Sequence, residues 1–145
     1  MITIHGKIPI PNTLLDVAET IKHENYKVNT PAKFQKHFDD SEDGQTFVKQ
    51  LADLINVDHG CIDWVYFSAS RGAEPHTDLL DPNKFSDNTF VIPLIVPPYA
   101  TLNAGKASVE IKAGQVYEFL HTETHSLDVI DFNHGCVMVM ATELV

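Results

Sequence analysis

A chain of 145 residues with a hydrophobic fraction of 43% fits one folded domain and excludes an intrinsically disordered segment. Its 20 Asp and Glu outnumber 10 Lys and Arg, which argues against a nucleic-acid backbone as partner, because that binding neutralises phosphates with basic side chains. No apolar run approaches the roughly 18–20 residues of a membrane span, and the opening MITIHGKIPIPN has neither an apolar signal core nor a small-residue cleavage site, so a cytoplasmic location is expected.

In chain order, MITIHGKI alternates apolar and polar positions and reads as a strand. Asn12 is placed to cap a helix through TLLDVAETIKHENY, with Leu15, Val17, Ala18 and Ile21 on one face. Thr30-Pro31 looks like a cap followed by proline at the first helical position, opening a short helix through Phe34 and Phe38. Ser41-Glu42-Asp43 opens another, with Phe47, Leu51, Leu54 and Ile55 on its buried face, and the acidic run DDSEDG is its solvated start.

After Val57 the pattern turns to short β-rich segments: CIDWVYFSAS, NTFVIPLIV, ASVEI, GQVYEF, SLDVID and CVMVMATEL. Turn formers separate them, among them RGAEP, PPYA, NAG, KAG and FNHG. Pro93 inside NTFVIPLIV predicts an edge position, a bulge or a break. Helices followed by a run of strands indicate an α+β fold, with 1–57 supplying a strand and helices that pack on one side of a sheet sandwich or barrel formed by 58–145. Trp64, Tyr66 and Phe67 are read as core on a strand, with Tyr66 and Trp64 on one face. Cys61 and Cys136 both sit in apolar runs and neither belongs to a C-x-x-C pair, so two buried, reduced thiols are expected rather than a disulfide or a thiolate zinc site.

The chemistry concentrates in RGAEPHTDLLDP. His76 and Asp78 are separated by one residue, and on an extended chain side chains two apart share a face, so an imidazole and a carboxylate can converge on one metal. His125, in EFLHTETHSLDV, follows one strand-like run and precedes another, and is the best third ligand. Two histidines and one carboxylate leave open positions on an octahedral ion, as in non-haem Fe(II) oxygenases. The plainer readings are an ordinary surface pair for His76 and Asp78, and a hydrogen-bonded core histidine for His125. His121 lies four residues before His125, a spacing that suits zinc on a helix. The segment is Thr-rich, follows a strand and is not H-E-x-x-H, so His121 is read as a solvent-facing loop residue.

The order WVYFSASRGAEPHTD, TFVIPLIV, VEIKAGQVYEFLHTETHSLDV resembles the core of the prolyl-hydroxylase-like Fe(II)- and 2-oxoglutarate-dependent oxygenases over about residues 61–144. In that family a strand and a Gly-containing turn precede H-x-D, a Thr-initiated apolar strand follows, and a Gly turn leads through another strand to the distal His. The resemblance implies a double-stranded β-helix (jelly-roll, cupin-like) core. It also implies Fe(II) held by His76, Asp78 and His125, 2-oxoglutarate as co-substrate, and hydroxylation of a C–H bond in a small-molecule or peptide substrate. The family places an Arg or Lys about ten residues after the distal His to hold the far carboxylate of 2-oxoglutarate, whereas this chain has DFNHGCVMVM there and no Arg or Lys after Lys112. A carboxylate taken into a pocket must be paired. Either Arg71, Lys106, Lys112 or a protonated His134 substitutes, or 2-oxoglutarate is not the co-substrate. For Arg71 the plainer role is a salt bridge, and for His134 a turn position. Two further readings stay open: a cupin-like metalloprotein using another co-substrate or none, and a non-catalytic binding module of the same fold. A homodimer is open as well.

Overall fold

Strands with apolar residues on both faces need cover on both faces, and two strands here are of that kind. β4 (Phe85–Ile95) and β9 (Cys136–Leu144) are buried over most of their length. With β1 (Thr3–Lys7), β2 (Ile62–Ser70) and β7 (Gln115–Leu120) they form a five-stranded antiparallel sheet in the order β1-β7-β4-β9-β2. The shorter strands β3 (Ala73–His76), β5 (Thr101–Ala104), β6 (Ala107–Glu110) and β8 (His125–Asp128) form a second antiparallel sheet in the order β3-β8-β5-β6. This is a computed structural model, and it describes residues 1–24, 38, 40–70, 72–129 and 136–145.

The period of two along each strand divides the core into two layers. Val65, Phe67 and Ala69 of β2, Phe90 and Ile92 of β4, and Val137, Val139 and Ala141 of β9 face the helices. There they meet Leu14, Ala18 and Ile21 of α1 (Asn12–Glu24) and Phe47, Val48, Leu51 and Ala52 of α2 (Glu42–Ile55). Their in-between neighbours Val91, Tyr117, Phe119, Cys136 and Met138 face the other way, onto Ala100, Leu102, Ala104 and Leu127 of the smaller sheet. Helices therefore cover one face of the large sheet and the small sheet covers the other, which bears out the α+β reading with the N-terminal helices on one sheet.

Local chemistry explains the helix ends. Ser41 caps α2 as expected, its hydroxyl accepting from the Gly44 N–H at 2.9 Å, and Asn56 closes the helix in the left-handed region at φ 59°. α1 departs from expectation at its start. Asn12 is its first helical residue rather than its cap, and the Pro11 carbonyl accepts from the Leu14 and Leu15 N–H groups. The buried face is correspondingly Leu14, Ala18 and Ile21, with Leu15 and Val17 at its margin. The expected helix from Thr30 lies outside the described residues apart from Phe38, which is buried between Phe47 and Phe67.

Two strands, β3 and β5, were not anticipated, because AEPH carries a charge and a proline and TLNA is only four residues long. Pro75 is tolerated because β3 is the edge strand of its sheet. Pro93 sits instead in an interior strand, and the β4–β9 register shifts between Pro93 and Ile95, so of the expected outcomes it is the bulge that occurs. The NAG turn is as read: Ala104 pairs with Ala107, and Gly105 takes φ +58° at the first position of the two-residue connection.

Among the described residues no helix is long and apolar enough to cross a membrane. Both cysteines are free. Cys136 is buried and its thiol pKa is pushed up to about 12 by desolvation, whereas Cys61 is only half-buried, which corrects the expectation of two buried thiols. Ellman's reagent at pH 8 should therefore modify one thiol per chain in the native protein and two in denaturant. Rapid modification of two native thiols would show that Cys136 is accessible.

Candidate metal centre

Pairing between β3 and β8 places His76 directly opposite His125 in an antiparallel register. Their rings meet edge-on with centroids 4.3 Å apart. Asp78 lies two residues beyond the end of β3, with its backbone N–H donating to the His121 carbonyl at 3.0 Å. Its carboxylate returns to both imidazoles: Oδ2 is 3.1 Å from His125 Nε2, and Oδ1 is 3.5 Å from His76 Nε2. The three residues each offer one ligand atom, all within 4.8 Å of one another. Metal–ligand bonds of about 2.0–2.2 Å put neighbouring ligands roughly 3–3.5 Å apart, so the spacing is close to what one ion needs. This trio can hold a metal ion.

The remaining ring nitrogens decide the tautomers. His76 Nδ1 lies 2.7 Å from the Glu74 carbonyl oxygen, and His125 Nδ1 lies 2.8 Å from the Glu123 carbonyl oxygen. A carbonyl only accepts, so both Nδ1 atoms carry a proton and Nε2 of each ring faces Asp78, where it donates to the carboxylate when protonated and offers a lone pair to a metal when neutral. The trio spans from rim to interior: side-chain exposure falls from 45% for His76 through 37% for Asp78 to 7% for His125. Phe119 packs against the His125 ring at 4.7 Å and holds its inner side.

Electrostatics follow from this geometry. The hydrogen bond from His125 holds the Asp78 carboxyl below its ordinary value, against the opposing effect of burial and with help from the charges of His125, His76 and His121. Burial would lower the His125 pKa, but the hydrogen bonds to Asp78 and to the Glu123 carbonyl, with the charges of Asp78 and Glu123, raise it overall.

One residue near the site was read otherwise from sequence. His121 is buried at 4% exposure rather than facing solvent. Its Nε2 lies 3.0 Å from the Ser86 carbonyl, so the proton is on Nε2, the opposite tautomer from the two ligand candidates. Tyr66 lies on the face of β2 opposite Val65 and Phe67, as alternation gave it, and its phenol pKa is pushed up to about 12 by burial and by the Asp78 charge. Lys106 and Lys112 are exposed. Arg71, His134 and the Trp64 side chain lie outside the described residues. No protein-family model matches the chain, and no curated protein is significantly similar to it.

The pair of shifts predicts a pH window. Asp78, depressed below 3.8, contributes stability that is present above that value and lost as pH falls through its folded pKa. His125, raised above 6.5, contributes stability that is present below that value and lost as pH rises through its folded pKa. Thermal melts of the metal-free protein should therefore show the pair's contribution between about pH 4 and 6.5, and Asp78→Asn should flatten it. Mn(II) must displace the His125 proton, so it should raise Tm at pH 8 and have little effect at pH 5. Equal Mn(II) stabilisation at both values would count against His125 as a ligand.

Proposed function

We propose that this protein is a non-haem Fe(II)-dependent oxygenase that uses 2-oxoglutarate to hydroxylate a small-molecule or peptide substrate, with iron held by His76, Asp78 and His125. The observation that carries the reading is the donor set: two imidazoles locked in the Nδ1–H tautomer by carbonyls two residues back, converging with one carboxylate. Two His and one carboxylate on one face are the ligands of that enzyme class, and they leave adjacent positions for co-substrate and O₂. The strand arrangement supports it too. Strands β2 to β9, renumbered 1 to 8, are ordered 1-8-3-6 in one sheet and 2-7-4-5 in the other, the pattern of a double-stranded β-helix.

Fe(II) bound there would mediate electron transfer to O₂, the electrons coming in pairs from 2-oxoglutarate and the substrate C–H bond, which no side chain of the protein can do. The chain's own residues divide the remaining work. His125 and Phe119 form the inner wall, out of solvent. Asp78 neutralises one of the two positive charges. His76, half in solvent, leaves an open side by which substrate arrives. Tyr66 keeps its proton across the physiological range and so presents a neutral hydroxyl group near Asp78.

One observation favours a cupin-like metalloprotein without 2-oxoglutarate. β9, where the resembling family carries its basic anchor, contains neither Arg nor Lys. A hydrogen bond to a charged group contributes about 1.5–3 kcal/mol, so losing it should weaken 2-oxoglutarate by roughly 10- to 150-fold.

Calorimetry under argon should find one Mn(II) or Fe(II) per chain. Asp78→Ala should be the most damaging ligand change, because it removes the only formal negative charge of the trio, and His76→Ala should weaken binding by about 10-fold or more. Unchanged affinity in both variants would remove the site assignment. With iron in place, 2-oxoglutarate and O₂ should yield succinate, and Asp78→Ala should abolish it. No succinate and no binding at millimolar 2-oxoglutarate, with metal demonstrably bound, would transfer the assignment to the cupin-like alternative.

A further inference from the structure

We propose that His121 is a positioning residue for Asp78, bracing both ends of the segment that carries this carboxylate. Asp78 follows β3 at the start of the connection to β4, and Leu79 beside it is 96% exposed, so packing of its neighbour does not hold that connection in place. His121 does so from the turn between β7 and β8. Its carbonyl accepts from the Asp78 N–H at 3.0 Å, its own N–H donates to the Asp87 carbonyl at 3.0 Å, and its Nε2–H donates to the Ser86 carbonyl at 3.0 Å. One buried residue therefore ties the first part of segment 78–87 to its last part.

The side chain is not there to fill space. Among the described residues His121 Nδ1 is buried with no hydrogen-bond partner, a desolvation cost that an apolar side chain of the same size would not carry. The Nε2–H bond to Ser86 is the recorded return for it. That bond also commits Nε2 to a proton and so fixes the tautomer of the ring. The same turn sets the distal histidine, since His125 lies four residues on and donates through Nδ1–H to the Glu123 carbonyl. Loss of the Ser86 bond loosens the turn and the Asp78 segment together, and the distance between carboxylate and imidazole ceases to be fixed.

The consequence for metal binding rests on the proposed metal site, but the brace is a property of the metal-free chain, so the two are separable. The comparison is wild type against His121→Leu, which removes the donor, and His121→Gln, whose side-chain N–H reaches about as far as Nε2. In metal-free protein, amide hydrogen exchange read by NMR should accelerate at Asp78 by about 10-fold or more in His121→Leu while core amides such as Val139 change little. His121→Gln should return it toward wild type. Co(II) affinity should fall by about 10- to 100-fold in His121→Leu, with an altered visible spectrum, and recover in His121→Gln. Unchanged Asp78 exchange in His121→Leu overturns the brace, as does loss of Asp78 and Val139 protection in equal measure, which marks a purely global effect. If wild type itself binds no Co(II), the metal reading falls while the exchange data still decide the brace.

Discussion

Two hydrogen bonds, each from an imidazole Nδ1–H to the carbonyl two residues back, determine what the centre can do. A histidine with a free ring can present either nitrogen, protonated or not, and samples rotamers that scatter its lone pair. Tying Nδ1 to the local backbone removes the choice of tautomer and most of the choice of orientation. Because both His76 and His125 sit in extended backbone, the same local geometry is available to each, and the β3–β8 pairing then sets the two Nε2 atoms side by side. Asp78 completes the set by distance alone, 3.1 and 3.5 Å from the two rings.

The rest of the fold makes that pairing dependable. β8 is interior to the small sheet, hydrogen-bonded to β5 as well as β3, and its Leu127 is buried against residues of the large sheet. The large sheet in turn is held flat against two helices through Val65, Phe67, Phe90, Ile92, Val137 and Val139. Burial of this kind contributes about 1.5–3 kcal/mol per large apolar side chain, far more than the exposed polar contacts at the rim. The precision of the site is thus supplied from the distal-histidine side. β3, four residues at the sheet edge with three of them exposed, brings its histidine to a surface already in place.

Legibility in the sequence followed the same division. The H-x-D pair could be read because a two-residue spacing means the same thing on any extended chain, and His125 could be read because apolar runs flank it. β2, β4, β7 and β9 announced themselves through apolar alternation or continuous burial. β3 did not, since Glu74 and Pro75 obscure an edge strand whose pairing partner is some 50 residues away. His121 was misread for a related reason. HTET is polar and looks like an exposed turn, and its burial is imposed by Ser86 and Asp87, 35 residues earlier. The face of Tyr66 was legible, because alternation along β2 gives Val65, Phe67 and Ala69 to the helix face and leaves Tyr66 to the other. The oxygenase resemblance belongs to a different level: it orders the motifs, but the anchor for a co-substrate carboxylate falls where the family pattern is broken.

The gradient of burial across the three candidate ligands has an energetic meaning of its own. His125 is desolvated whether or not a metal is present, and in the metal-free chain the charge of Asp78 compensates by favouring a proton on its ring. In the metal-free chain the proton therefore supplies the positive charge beside Asp78. A divalent ion would not have to assemble the centre; it would exchange with that proton and draw in His76, whose ring is already turned toward Asp78 by the Glu74 carbonyl. What an ion would add is a tie between the buried β8 and the exposed edge strand β3. Any ligand that binds only the folded state stabilises it in proportion to the logarithm of its concentration over its dissociation constant. Here that stabilisation would act on the most exposed part of the site, where the chain's own packing contributes least.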